Sequence, residues 1–231
     1  MESFAFFLPT RRGSERVLDK NTRQFAGIDG GLLRLKLEQL LKTKGEYPII
    51  LSTNDEESIK IAHSFHSDRI KVIERPDYLC LSSTNLLDLI KYIPTVIKED
   101  NIVWVHVTEP FVNEEVMDKA IKTFIDHKEK QQCDSLMSVN KIQSFIWSKQ
   151  VNTFISHDRN TMKWPRSQDL EPLFEVNSAI FINPRENYLK YDDRIGLKPF
   201  MYELTKIEAL DIDWNDDFRL AELIYENIKK L

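Results

Sequence analysis

Five short apolar runs, each separated from the next by a stretch with helical spacing, constrain this chain more than any other feature. The runs are Phe4 to Leu8, Tyr47 to Ser52, Ile70 to Glu74, Ile102 to Val107 and Ser135 to Val139. Each has a strand's length and is rich in residues that pack in a buried sheet. Between them, Leu33, Leu37, Leu40 and Leu41 share one helical face, as do Ile59, Ala62 and Phe65. Leu86, Ile90, Ile93 and Ile97 mark a third helix, and Met117, Ile121 and Phe124 a fourth behind Asn113, a cap-favouring residue. Strand–helix alternation over about the first 140 residues requires crossover connections. It therefore predicts the α/β class: a mostly parallel sheet with helices on both faces.

From about Lys141 to Phe200 the pattern changes to short strand-like pieces joined by polar loops, "FIWSK", "NTFIS" and "FEVNSAIFI". This stretch reads as a lobe at about 141–200, used for substrate contact or dimerisation, on a single domain spanning 1–231. Alternation resumes with "EALDID" as a last strand and a final helix containing Phe218, Ala221 and Ile228.

Charge narrows the partners. The balance is 32 − 37 = −5, which gives no general attraction for nucleic acid or an anionic membrane. The opening "MESFAFFLPTRR" holds an apolar run too short to span a bilayer, with no basic segment before it. Neither a signal peptide nor a membrane span is expected, and the expected location is the cytoplasm. Cys80 and Cys133 have no metal-ligand spacing and read as reduced thiols.

Against this acidic background the loop after the first strand, "PTRRGSERVLDKN", gathers Arg11, Arg12, Arg16 and Lys20 around Gly13 and Ser14. In open α/β sheets ligands bind beyond the carboxyl ends of the strands. Such a loop offers backbone N–H groups, a hydroxyl and cations to a polyphosphate. It fits neither GxxxxGK[ST] nor GxGxxG. The bland alternative is a solvated basic turn. At the other end of the chain, Asp211 and Asp213 stand two residues apart at an expected strand end, where both carboxylates share a side. Hard oxygen donors at that spacing suit Mg²⁺ bound jointly with phosphates. The alternative is that Asp213 caps the last helix.

The loop resembles the signature P-A-R-x-G-S-K-x-x-P-x-K-N of the cytidylyltransferases that activate acidic sugars: the CMP-sialate, CMP-pseudaminate, CMP-legionaminate and CMP-Kdo synthetases. Pro9, Arg11, Gly13, Ser14, Lys20 and Asn21 match in register. Later segments follow in order: "LSTNDEE", "ERPDYLCLSST", "VHVTEPF", "RSQDLEP", "EVNSAIFI" and "LDIDWNDDFRLAE". The resemblance runs from the first strand to the last helix. Glu15 stands where the family has lysine, and Leu18 where it has proline.

The resemblance implies a Rossmann-like nucleotide-sugar transferase fold, CTP as substrate, an acidic sugar as acceptor, Mg²⁺ as cofactor and a homodimer. It places Pro9, Arg11, Gly13, Ser14, Arg16, Lys20, Asn21, Arg75, Leu79 and Ser83 at the nucleotide, with Lys20 stabilising the leaving charge. Arg16 would replace the cation lost at Glu15. Asp211 and Asp213 would hold the metal and act in catalysis. His106, Lys141, Arg166, Gln168 and Asn177 would contact the sugar, with Arg166 suited to its carboxylate. For His106 a satisfied strand histidine is the competing reading. The expected reaction is attack of the anomeric hydroxyl on the α-phosphate, giving a CMP-sugar and pyrophosphate; the sequence singles out no general base. The rivals are a nucleotidyltransferase with another acceptor, such as Kdo or a phosphorylated small molecule, and a CTP-binding relative without catalysis. A metal-using glycosyltransferase is disfavoured, because its Asp-x-Asp pair follows a mid-sheet strand.

Overall fold

The computed structural model describes residues 2–14 and 16–228. Seven strands form one sheet: β1 (Phe4–Pro9), β2 (Ile49–Thr53), β3 (Ile70–Glu74), β4 (Asn101–Val105), β5 (Ser135–Ile142), β8 (Leu173–Pro184) and β9 (Pro199–Glu203). Two short strands, β6 (Trp147–Ser148) and β7 (Thr153–Phe154), pair apart from it. The helices are α1 (Gly31–Leu41), α2 (Glu56–His63), α3 (Leu86–Val96), α4 (Glu114–Glu129), α5 (Arg185–Tyr191) and α6 (Asn215–Ile228).

The sheet order is β3-β2-β1-β4-β8-β5-β9, parallel except for β8, which runs antiparallel to both β4 and β5. Alternate residues of β1 feed two cores. Phe4, Phe6 and Leu8 pack with residues of α1, α2, α4 and α6, whereas Ala5 and Phe7 pack with Ile90, Ile93 and Tyr188 of α3 and α5. A strand buried on both sides reads as a continuous apolar run, which is why β1, β2 and β4 are legible. Side-chain caps start three of the helices: Asp55 accepts from Ser58 N–H, Asn85 from Leu87 N–H and Asn113 from Val116 N–H. Leu86 and Ile228, expected on core faces, are exposed.

The second half departs from the sequence reading in two places. "EALDID" is not a strand. Residues 211–213 are irregular, held by one backbone bond from Ile212 N–H to Thr108 O (3.0 Å), and the last strand is β9. Between Lys141 and Phe200, about 143–172 leaves the sheet, carrying β6 and β7, and 185–198 leaves it again through α5. At Leu173 the chain re-enters it as β8, a strand of 12 residues whose inner half, Ala179 to Pro184, is buried. Its first half mixes Leu173, Phe174 and Val176 with polar residues and is partly exposed, so the sequence shows the strand-like piece "FEVNSAIFI" without showing that it runs through the centre of the sheet.

Candidate active site

Strand order reverses at β1: β2 and β3 lie on one side, β4 and the rest on the other. The loops leaving β1 and β4 therefore diverge at the carboxyl rim and open a crevice, the usual ligand position in such sheets. Two cavities occupy it. One, of about 320 Å³, is lined by Pro9, Thr10, Arg11, Asn21, Arg75, Leu79, Trp104, His106 and Thr108, among others. The second, of about 340 Å³, is lined by Arg11, Gly13, Ser14, Lys20, Asn21 and Arg23, among others. They meet at Arg11 and Asn21. A larger groove beside Tyr47 and α4 lies at the amino end of the strands, away from this chemistry.

The basic loop is shaped by its backbone. Gly13 takes φ 81° and Asp19 φ 47°. Thr22 and Arg23 N–H groups return to Asp19 O, and Asn21 O receives Leu33 N–H (2.8 Å), tying the loop to α1. At Gly31 (φ 56°) a Cβ would collide with the Arg23 carbonyl, so only glycine lets the loop lie this close to the helix start.

The loop meets the acidic pair. Lys20 Nζ donates to Ile212 O (2.6 Å) and stands 3.9 Å from Asp213 Oδ1, while Arg16 forms a 2.8 Å ion pair with that same oxygen. Burial pushes Lys20 down, against the carboxylates of Asp211 and Asp213. Burial likewise raises Asp211, and the negative charge of Asp213 adds to it. Cations and acids thus converge from residues about 190 positions apart in sequence, next to the second cavity, which Lys20 also lines. Among the described residues no backbone N–H of α6 donates to the Asp213 side chain; Asp217, in the first turn of α6, reaches back to accept from the N–H groups of Trp214 (2.7 Å) and Asp213 (3.1 Å).

Arg75 is buried and acts as a strut: Nη2 donates to Thr10 O (2.5 Å) and Nε to Cys80 Sγ (3.1 Å). Arg11 Nη1 reaches Cys80 O (3.4 Å), so both arginines clamp the first loop to the turn that carries Leu79. Ser83 lies on the exposed part of that turn, and its neighbours Ser82 and Thr84 face the cavity. His106 stacks on Trp104, with centroids 5.8 Å apart and 27° between planes. Burial, then the charges of Arg194, Lys20 and Lys36, push it down to about 3, so it is neutral.

The remaining sugar candidates are not gathered here. Lys141 and Gln168 are exposed, and Arg166 is spent on a bidentate pair with Asp169 (2.8 and 3.0 Å) in the projecting segment. Asn177 belongs to a polar ladder, donating to Asn140 Oδ1 (2.8 Å) and accepting from Ser138 Oγ (2.5 Å). Glu15 lies outside the described residues.

Sequence reasoning missed Lys36 and Glu109. Lys36 is buried, donating to Glu109 O (2.9 Å) and Val112 O (2.7 Å), and Gln39 Nε2 donates to Pro110 O (2.7 Å). Together they fasten the turn after β4 that carries Thr108. Burial drives Glu109 up and Lys36 down, and each charge offsets the other. A lysine on the leucine face of α1 and an acid inside "VHVTEPF" were the signals.

Among the described residues, no three His, Cys, Asp or Glu side chains cluster as a metal cage. Asp211, raised by burial and by the nearby Asp213 charge, together with Asp213 still suits Mg²⁺, which takes few protein ligands and completes its shell with water and phosphate.

Comparison with known proteins decides the family. A family model described as "Cytidylyltransferase" matches residues 5–231. The chain belongs to this cytidylyltransferase family. Similar members include the N-acylneuraminate cytidylyltransferase of Escherichia coli, 28% identical over 95% of this chain and 51% of that protein. The pseudaminic acid cytidylyltransferase of Campylobacter jejuni is 23% identical over 95% of this chain and 94% of that protein. The chain thus spans about half the length of the first relative and nearly all of the second. Among solved structures, a CMP:2-keto-3-deoxy-manno-octonic acid synthetase complexed with CTP aligns with a TM-score of 0.67 at 12% identity, covering 99% of this chain and 100% of that one. Such a likeness carries the fold of this cytidylyltransferase and nothing finer. No helix among the described residues is long and apolar enough to cross a membrane.

Proposed function

We propose that this cytidylyltransferase moves CMP from CTP to the anomeric hydroxyl of an acidic sugar of the nonulosonate class, releasing pyrophosphate and forming a CMP-sugar. The observation that carries this reading is the meeting of Lys20 and Arg16 with the Asp211–Asp213 segment at the carboxyl rim. Base and ribose fit the cavity under Leu79 and Arg75, and the triphosphate the one formed by Gly13, Ser14 and Lys20. Lys20, held by a backbone carbonyl, is a pre-positioned cation for the charge that develops on the departing phosphates. Arg75 acts through the loop it clamps, not by leaving its burial. Mg²⁺ held by Asp211 and Asp213 would neutralise phosphate charge and polarise the reacting phosphorus.

We further propose a homodimer formed through the projecting segment, where Val151, Ile155, Met162 and Trp164 are exposed. The use of free CTP supports a cytoplasmic location.

Pyrophosphate release from CTP and Mg²⁺ across N-acetylneuraminate, pseudaminate, legionaminate and Kdo tests the reading. One acid is expected to support turnover, falling at least about 10²-fold in Asp211→Asn. CTP binding with silence across the panel would overturn it.

A further inference from the structure

We propose that Arg194 is the fixed cation that receives the acceptor's carboxylate, with His106, Trp104 and Tyr188 supplying hydrogen bonds around it. This rests on the transfer reading and adds to it a residue that no motif match singled out.

Position comes first. β8 runs antiparallel to β4 with Val105 opposite Ile180, so Ser178 lies two residues further toward the carboxyl rim, beside the start of the His106 loop. Arg194 Nη2 sits 3.5 Å from Ser178 Oγ. Its guanidinium lies over the Phe181 ring, 3.9 Å from the centroid, and over Trp104 at 5.2 Å. Trp104 stacks in turn on His106, and both line the crevice. Arg194 therefore stands one ring away from the nucleotide cavity, separate from the Lys20–Asp213 pair.

Charge and hydrogen bonding point the same way. Among the described residues Arg194 has no carboxylate within ion-pair distance, and Asp193 Oδ1 instead accepts from Ile195 N–H (3.3 Å). Asp193 is close enough to favour the charge without forming an ion pair, and a half-buried guanidinium without a paired anion is costly unless one arrives. Around it, Trp104 Nε1, His106 Nε2 and the Tyr188 hydroxyl are buried without partners. Indole N–H donates only, and phenol and neutral imidazole each offer a donor. A planar cation ringed by unsatisfied donors is the complement of a carboxylate. Ser178 takes φ 63° beside the register shift between Met137 and Val139, so backbone irregularity also collects at this point of the rim.

Calorimetric titration of N-acetylneuraminate, pseudaminate, legionaminate and Kdo, and of CTP, into the wild type, Arg194→Met and Arg194→Lys tests this. For the acid that binds the wild type, affinity is expected to fall at least about 30-fold in Arg194→Met and less in Arg194→Lys, which keeps charge but loses the planar fork. CTP affinity should stay within about twofold, which also certifies the fold. Unchanged acid affinity in Arg194→Met, a parallel fall in CTP affinity, or no acid binding to the wild type would overturn the inference. Arg194-dependent acid binding without pyrophosphate release would sink the transfer reading alone. Turnover in Arg194→Met with an unchanged KM for the acid would sink this inference alone.

Discussion

Burial and the surrounding cations hold His106 down to about 3, whereas an unfolded histidine titrates near 6.5. Between those values the unfolded chain binds a proton that the folded one refuses, so this residue's contribution is complete above pH 6.5 and is lost as pH falls. From pH 7 to pH 5 the wild type should lose about 2 kcal/mol more than His106→Gln, or roughly 4–8 °C in Tm. Parallel melting curves for the two proteins at both pH values would refute the neutral assignment. Lys36 poses a different test. Lys36→Met leaves Glu109 buried without its compensating charge, and a loss of about 3–5 kcal/mol in chemical unfolding is expected. The matched Lys36→Met, Glu109→Gln pair should recover part of it. Short polar motifs such as Gly13-Ser14 and Lys20-Asn21 were open to proposal from sequence because their chemistry is local. Arg194 was not, since nothing near it in sequence announces that β8 will carry Ser178 to its side.

At the scale of elements, α1 ends against a single arginine from the loop before β3. Arg69 donates to the carbonyls of Leu41 (2.8 Å), Leu40 (3.1 Å), Gly45 (3.0 Å) and Tyr47 (3.1 Å), where helix-end oxygens lack partners. Arg69→Ala should cost about 2–3 kcal/mol of stability while CTP affinity holds, because Arg69 is remote from the crevice. A fall in CTP affinity at full stability would contradict that assignment. The same scale explains what periodicity revealed. β1, β2 and β4 are buried on both faces and β5 over most of its first five residues, so their apolar runs survive as plain text, while the half-exposed edge strand β3 stays legible through Ile70, Val72 and Ile73. β8 begins in the polar lobe and ends in the core, so no single period describes it, and α5 and β9 follow as short pieces. "LDID" carried a strand's composition, yet its place in the sheet is taken by β9 and it lies irregular against Thr108.

For the whole molecule, the exposed apolar side chains of the projecting segment set the expected assembly. Ile155→Glu, at a side chain 53% exposed, should shift the mass measured by light scattering from dimer to monomer with the fold retained. An unchanged mass would move the interface elsewhere, or show the wild type to be monomeric. The antiparallel strand β8 has a further consequence, for synthesis. Among the described residues it is the strand that joins β4 to β5, and it ends 79 residues after Val105. During translation the first four strands therefore wait with the β4 edge bare for roughly 4–16 s at ordinary elongation rates. That row of unpaired N–H and C=O groups, flanked by Trp104 and Val103, is a template for pairing with another nascent chain. Slow codons between β5 and β8 should raise the aggregated fraction without altering the protein once made.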